Sequence, residues 1–145
     1  MDDYAIQRPP VDPTEIAEEE DIEVVFATFS TKLADVSGFY DAEERAIYVN
    51  EAEHPNRQRF TLAHELGHHF LHREWAASSE YQVLLRSAPA YYDRHEVEAN
   101  EFAGNLLMPK FLLDEFRHLP IPTMAKLFAV SVPAMKYRLQ KAYGD

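Results

Sequence analysis

The chain has 145 residues, 46% of them hydrophobic, and is therefore long enough to bury one compact core. It contains no cysteine, which excludes disulfides, thiolate zinc sites and thiol catalysis, so imidazole and carboxylate groups must hold any transition metal. The net charge is −11. Residues 117–145 carry five basic side chains and one acidic side chain, so the excess of negative charge lies in residues 1–116. This acidic charge argues against nucleic acid as a direct ligand.

The amino-terminal stretch "MDDYAIQRPP" predicts neither export nor insertion into a membrane. It has no basic segment followed by an apolar one, and nowhere in the chain do about eighteen apolar residues run together. The absence of cysteine is typical of a reducing compartment. We therefore expect a cytoplasmic protein without a membrane partner, whose residues 1–10 form a loose leader.

The first third of the chain predicts one short helix followed by three strands. In "DPTEIAEEED", Asp12 or Thr14 can cap a helix over about residues 13–20, and Pro13 suits its first turn. Residues with β-branched and aromatic side chains are concentrated in "IEVVFATF", "VSGFYD" and "RAIYVN", and the turn-like "AEE" separates the last two. These strands predict a small antiparallel sheet of three strands.

The rest of the chain is predicted to be mainly helical. A helical pattern runs from Asn56 to His72, with a glycine as its one breaker. The segment "REWAASSEYQVLLRSAPAYYD" is expected to be an irregular crossing loop with a helical turn over residues 79–86. "RHEVEANEFAGNLLMP" predicts a second strong helix that is closed by Pro109, and "KFLLDEF" predicts a short third one.

The stretch "IPTMAKLFAVSVPAMKYRLQKAYG" predicts two further helices. They meet at "VSVP", where Ser131 can cap the last helix and Pro133 lies in its first turn. The complete set of elements indicates an α+β fold, in which a small three-stranded antiparallel sheet packs on a helical core.

The central helix contains the pattern H-E-x-x-H at residues 64–68. Residues four apart on an α-helix lie about 40° apart around the axis and about 6 Å along it, so His64 and His68 can bind the same ion. Glu65 lies about 100° around the helix from His64 and can reach a water activated by that ion. Zinc acidifies water, and a carboxylate can take the released proton. The pattern therefore predicts a zinc site for hydrolysis, with Glu65 as the general base.

The opposite side of this helix carries Leu62, Leu66 and Phe70, so we expect the helix to be central in the fold. Burial of two histidines without a partner would be costly. Ligation of a metal is therefore favoured over the alternative, a pair of hydrogen-bonded core histidines.

Two further histidines follow in "TLAHELGHHFLH". His69 lies about 140° from His64 around the helix and is expected to be exposed or to support a ligand. His72 lies on the side of Glu65, four residues after His68, so His68 and His72 form an alternative ligand pair. That pair would place Glu65 one turn too early for its role, and we therefore prefer His64 and His68.

A third ligand is expected from another helix. A third histidine six residues after the second is excluded because Glu74 occupies that position. In "HEVEANEFAGNLLMP", Glu96 lies on a stripe of mostly small apolar residues, whereas Glu98 and Glu101 face the other side, toward solvent. We predict Glu96 as the third ligand, with Asn100, one turn later, supporting a ligand imidazole.

Peptide hydrolysis also requires a donor for the oxyanion of the tetrahedral intermediate. The candidates for this role or for substrate contact are His72, Tyr91, Tyr92 and Arg94, and the sequence does not choose among them. His95, next to the predicted ligand, is expected to be a bystander.

Several segments of the chain resemble segments of the ImmA/IrrE group of zinc metallopeptidases and occur in the same order. The resemblance covers about residues 10–140 and depends on two motifs, H-E-x-x-H within "FTLAHELGH" and E-x-x-A-N-x-F-A followed by "LLMP". It implies a zincin-like core in which Zn²⁺ is held by His64, His68 and Glu96, with Glu65 as the general base. Manganese or iron also suits two imidazoles and a carboxylate.

The resemblance further implies a role in transcription. Members of this group are typically small bacterial, phage or mobile-element proteins encoded beside a helix-turn-helix repressor, and characterised members relieve repression by cleaving the repressor or causing its loss. The stretch "IPTMAKLFAVSVPAMKYRLQKAYG" resembles the helix-turn-helix-like segment of the family. We therefore expect a metallopeptidase core over residues 1–116 and two carboxy-terminal helices, within 117–145, that pack on the core.

One alternative function stays open at this point. In this alternative the protein is a metal-stapled binding module, that is, a module in which the metal ion only stabilises the fold. Such a module would be antitoxin-like or regulator-sequestering and would bind a protein partner without cutting it. The acidic body favours a basic protein partner under either hypothesis, although an excess of acidic side chains also keeps a chain soluble.

Overall fold

In the computed structural model, which describes residues 8–29, 37–77 and 93–144, one helix is followed by three strands and then by six helices. The predicted α+β class is confirmed. The predicted helical turn over residues 79–86 and most of the predicted leader lie outside the described residues. In chain order the elements are α1 Pro13–Glu19, β1 Glu23–Ala27, β2 Gly38–Asp41, β3 Ala46–Asn50, α2 Pro55–Leu71, α3 Arg73–Ala76, α4 Arg94–Leu107, α5 Lys110–Phe116, α6 Ile121–Phe128 and α7 Val132–Tyr143.

The sheet has three strands in the order β1-β3-β2. Strand β2 pairs antiparallel with β3, with Phe39 opposite Tyr48, but β1 pairs parallel with β3, with Val25 opposite Tyr48. The prediction of an entirely antiparallel sheet is therefore wrong for the β1–β3 pair. Successive strands do alternate in direction along the chain, but β3 enters between β1 and β2 and so lies beside the strand that shares its direction.

Helix α2 lies at the centre of the fold, between the sheet and α4. Its start is set by His54, whose Nδ1 accepts a hydrogen bond from the backbone N–H of Asn56, and by Pro55 in the first turn. One side of the helix buries Leu62 and Leu66 in the core. The predicted central position of this helix is confirmed, and its residues reach both the sheet and the neighbouring helix.

The close approach of α2 and α4 depends on Gly67. A Cβ atom at Gly67 would lie 3.1 Å from the Cα of Ala99 and 3.2 Å from the Cβ of Phe102. Contacts this short are tighter than most real Cβ contacts, so a methyl group would fit only if the neighbouring helix moved by a few tenths of an ångström. The two helices therefore touch nearly backbone to backbone, which lets a short acidic side chain on one helix reach the other.

The carboxy-terminal helices α6 and α7 pack on the same core. Met124, Phe128 and Met135 are fully buried, in agreement with the predicted packing of these helices on the core. The predicted cap is also confirmed, because the Ser131 hydroxyl oxygen accepts a hydrogen bond from the backbone N–H of Ala134. These contacts make the helical pair part of the folded body formed by the described residues.

Within the described residues, no helix combines the length and the apolar character that crossing a lipid bilayer requires.

Candidate metal centre

Two histidines and one glutamate converge where α2 crosses α4. His64 and His68 lie one turn apart on α2, and Glu96 lies in the first turn of α4. Each side chain offers one ligand atom, and the three atoms lie within 4.8 Å of one another. The Nε2 atom of His64 is 2.9 Å from one Glu96 oxygen, and the Nε2 atom of His68 is 2.9 Å from the other. The structure thus brings together the three residues that the sequence singles out as ligands.

The exposure of the cluster suits a site that works on a substrate. The His68 side chain is fully buried, whereas those of His64 and Glu96 are 13% and 18% exposed. A catalytic zinc needs three protein ligands and one side open to water or substrate. Two imidazoles and a carboxylate that meet at the edge of the core fit that requirement.

Electrostatic interactions keep the Glu96 carboxylate ionised. Burial alone would raise the pKa of Glu96, but hydrogen bonds from His64 and His68 lower it to about 2. Burial alone would lower the pKa of His64, and the hydrogen bond to Glu96 together with the charges of Glu65 and Glu96 raises it instead. The cluster therefore attracts positive charge, which either protons or a metal cation can supply.

Asn100 holds the outer nitrogen of His64. Its Oδ1 atom lies 2.7 Å from the Nδ1 atom of His64, and because an amide oxygen only accepts hydrogen bonds, Nδ1 carries the proton. In a neutral ring this leaves a lone pair on Nε2, which faces Glu96. A lone pair that faces a carboxylate is repelled, and either a proton on Nε2 or a metal ion between the two atoms removes this repulsion.

Glu65 is buried on α2, directly after His64. It lies close enough to His64 for its negative charge to raise the pKa of that histidine. On the same helix its side chain leaves the axis about 100° from the direction of His64. A buried carboxylate thus lies within electrostatic reach of the cluster.

His69 belongs to the core rather than to the site. It is buried, with its Nδ1 atom 2.8 Å from the Tyr40 hydroxyl and its Nε2 atom 3.0 Å from Glu20. Its position away from the ligand edge agrees with the prediction, but the expectation of an exposed side chain is wrong. The partners come from β2 and from the end of α1, and helix periodicity does not reveal such long-range partners.

His72 adjoins His68, at the carboxy-terminal end of α2. Its Nδ1 atom is 3.2 Å from the Nδ1 atom of His68, and its Nε2 atom is 2.6 Å from a carboxylate oxygen of Glu98. The expectation that Glu98 faces only solvent is therefore wrong, because its side chain is 44% exposed and the hydrogen bond to His72 lowers its pKa. In the alternative ligand pair, His72 would have to bind the metal with His68, whereas its ring nitrogens contact the outer nitrogen of His68 and the Glu98 carboxylate, and the group of convergent ligand atoms does not include His72.

Of the remaining candidates for the oxyanion, Arg94 alone belongs to the described residues. Arg94 is exposed, with its Nε atom 4.0 Å from Glu98. Tyr91 and Tyr92 lie outside the described residues. The predicted bystander His95 stacks on Trp75 with ring centroids 4.1 Å apart.

Trp75 is a neighbour of the site that the sequence analysis does not single out. Its ring lies 5.2 Å from the ring of His68 and stacks on His95. It is the one tryptophan of the chain and follows the last histidine of the motif segment by three residues. The presence of the one tryptophan so close to the motif is the only feature of the sequence that could have indicated this contact, because the contact itself depends on the turn between α2 and α3.

A groove of about 790 Å³ borders the cluster through Asn100. It follows α4 toward α7 and includes the exposed side chains of Val97 and Tyr137 and the basic side chain of Lys141. The Nε atom of Arg138 donates a hydrogen bond to the Met108 carbonyl oxygen at 2.9 Å and joins the two helices across the end of the groove. A polypeptide segment that lies in this groove would therefore contact Asn100, which adjoins the His64 ring.

Residues 17–140 match the Peptidase_M78 family model, which is described as the IrrE N-terminal-like domain. A match over most of the chain defines the class of protein, and the chain belongs to this peptidase family.

Relatives with known sequences agree with this assignment. The chain is 32% identical over 114 residues to "Radiation response metalloprotease IrrE" of Deinococcus radiodurans, a match that covers 70% of this chain and 33% of that protein. It is 35% identical over 88 residues to the protein of the same name in Deinococcus deserti, covering 54% and 27%. It is 31% identical over 86 residues to "Uncharacterized immunity region protein 2" of Bacillus phage phi105, covering 58% and 52%. The matched part thus spans between about a quarter and a half of these relatives.

A solved structure shares the fold. The structure of a Mycobacterium tuberculosis transcriptional regulator superposes with a TM-score of 0.65 at 19% identity, over 94% of this chain and 50% of that one. At this identity the likeness concerns the fold alone.

Proposed function

We propose that this protein is a zinc-dependent endopeptidase that makes a limited cut in a helix-turn-helix transcriptional repressor and so relieves repression. The observation that carries the proposal is the meeting of His64, His68 and Glu96 at a partly open edge of the core, beside the buried carboxylate of Glu65. Membership of a peptidase family and the metalloprotease names of two relatives support it.

Each side chain of the centre has a distinct task in this proposal. His64, His68 and Glu96 hold the zinc, and Asn100 keeps the His64 ring in the orientation that presents Nε2. When bound, zinc acts as a Lewis acid toward the scissile carbonyl and acidifies the attacking water. Glu65 accepts the proton of that water and returns it to the leaving amine nitrogen, because a carboxylate can act as base and then as acid.

The groove along α4 is proposed to bind the substrate chain. It adjoins the cluster at Asn100, and its exposed apolar side chains can bury apolar residues of an extended segment. The name of a phage immunity-region protein among the similar proteins supports a role in gene control. The helices over residues 117–145 are proposed to support the core, since their apolar residues pack there, and the protein is proposed to act in the cytoplasm.

The test is incubation of the purified, zinc-loaded protein with the repressor encoded by the adjacent gene. Discrete fragments that end at one peptide bond are expected, and the chelated protein should produce none. The variant Glu65→Gln should bind zinc and leave the repressor intact. The control Glu74→Gln changes an exposed carboxylate on α3 and should cut like the wild type.

The same variants separate the peptidase from a metal-stapled binding module. If Glu65→Gln still relieves repression as well as the wild type does, the protein acts by binding its partner and the proposed reaction is wrong. If discrete fragments persist with Glu65→Gln, a peptidase is present but its base is another residue.

A further inference from the structure

We propose that His72 and Glu98 position the zinc ligand His68 by fixing which of its two ring nitrogens carries the proton. The inference rests on the proposed zinc centre and assigns two positioning residues to it. It starts from an unbroken row of polar contacts that leads from the surface of α4 to the most buried ring of the cluster.

The row has two links. The Glu98 carboxylate lies 2.6 Å from the Nε2 atom of His72, and the Nδ1 atom of His72 lies 3.2 Å from the Nδ1 atom of His68. The backbone reinforces the second link, because the His72 N–H donates a hydrogen bond of 2.8 Å to the His68 carbonyl oxygen. The side chain of His68 is fully buried and that of His72 nearly so, which shields this link from water.

The chemistry of the donors determines the direction of each hydrogen bond. A carboxylate can only accept, so the Nε2 atom of His72 donates to Glu98. In neutral His72 the Nδ1 atom then bears a lone pair and accepts from the Nδ1–H of His68. The Nε2 atom of His68 is left with its lone pair directed to the side of Glu96, which is the state that a metal ligand needs.

This arrangement parallels the one at the other histidine ligand. Asn100 accepts directly from the Nδ1–H of His64, whereas Glu98 acts on His68 through the intervening ring of His72. Both supporting side chains lie on α4, as does the third ligand Glu96. Helix α4 thus supplies one ligand and orients the two ligands of α2.

Position 72 allows a sharp pair of substitutions. His72→Phe keeps a ring in place but removes the Nδ1 atom that accepts from His68. In His72→Asn the amide oxygen takes the place of Nδ1 and can still accept that hydrogen bond. In competition with a chelator at fixed pH, His72→Phe should bind zinc about 10 to 100 times more weakly than the wild type. His72→Asn should recover most of that loss.

Position 98 gives a second, matched pair on the surface of α4. Glu98→Leu removes the carboxylate that orients His72 and should weaken zinc binding, while Glu101→Leu makes the same change at an exposed position one turn further on and should not. Because both positions are at least partly exposed, these variants decide the matter even if His72→Phe does not fold.

A spectroscopic readout reports the proton itself. In the zinc-loaded wild type, nitrogen-15 NMR should show a His68 Nδ1–H that is protected from exchange with water, and the protection should be lost in His72→Phe and regained in His72→Asn. A merely structural contact would change the stability of the variants without moving this signal.

The outcomes distinguish this inference from the proposed function. If the wild-type protein binds no zinc, the metal centre itself is wrong. If zinc binds and His72→Phe binds it as tightly as the wild type, only the positioning role is refuted. Equal, large losses in His72→Phe and His72→Asn with no effect of Glu98→Leu would show that His72 is itself a ligand and would overturn the inference.

Discussion

Gly67 offers a direct test of how closely α2 and α4 approach each other. In Gly67→Ala the new methyl group would lie 3.1 Å from the Cα of Ala99 and 3.3 Å from its carbonyl oxygen, and backbone atoms cannot turn aside as a flexible side chain can. Alanine improves the helix by about 0.5–1 kcal/mol relative to glycine. Overpacking of this kind costs about 1–3 kcal/mol. We therefore expect the substitution to lower the free energy of unfolding by up to about 2.5 kcal/mol.

Gly104 provides the matched control. It also lies within a helix, but a Cβ atom there would meet only the Cδ of Arg138, at 3.9 Å, which is an ordinary contact. Gly104→Ala should therefore keep the helical gain and raise the free energy of unfolding by about 0.5–1 kcal/mol. Urea unfolding of both metal-free variants measures the two values.

The substitution Gly67→Ala should also weaken zinc binding. The methyl group at position 67 pushes α4 away from α2, and Glu96 moves with α4, whereas Gly104→Ala leaves the crossing unchanged. If Gly67→Ala were as stable as Gly104→Ala and bound zinc like the wild type, the two helices would not be in backbone contact, and the geometry described for the centre would be wrong.

Three further outcomes follow from other contacts. Zinc at about 100 times its Kd should stabilise the folded protein by about 2.7 kcal/mol, and a chelator should remove this gain in a thermal unfolding experiment. Ser131→Ala removes the cap of α7 and should cost about 0.5–2 kcal/mol in urea unfolding. The hydrogen bond from Tyr143 lowers the pKa of Asp114, so Tyr143→Phe should raise that pKa toward 3.8 in a carbon-13 NMR titration. The stabilising effect of the lowered pKa is present above pH 3.8 and is lost as the pH falls, and the loss should be smaller in Tyr143→Phe, in which only Lys110 and Arg117 still lower the pKa of Asp114.

The place of the cluster was predictable because it depends on helix periodicity. The spacing of His64 and His68 sets their common edge, and the small residues beside Glu96 mark the face of α4 that approaches α2. The direction of β1 relative to β3 was not predictable in this way. It depends on which strand occupies the middle of the sheet, and the pattern of apolar residues within each strand carries no record of that order.

The surroundings of the other histidines could not be read from the sequence for a related reason. His69 is held by Tyr40 and Glu20, which are 29 and 49 residues away along the chain. Glu98 faces outward on α4 by periodicity, yet the crossing of the two helices brings His72 within its reach. Such contacts arise from the angle between packed elements, which single-helix patterns do not specify.

A crystal of the zinc-soaked protein, measured at wavelengths on both sides of the zinc absorption edge, shows directly where zinc binds. We expect one strong anomalous peak between α2 and α4, bound by His64, His68 and Glu96, with His72 next to His68 but not on the metal. A peak at other side chains, or no peak at this crossing in protein that has bound zinc, would contradict it.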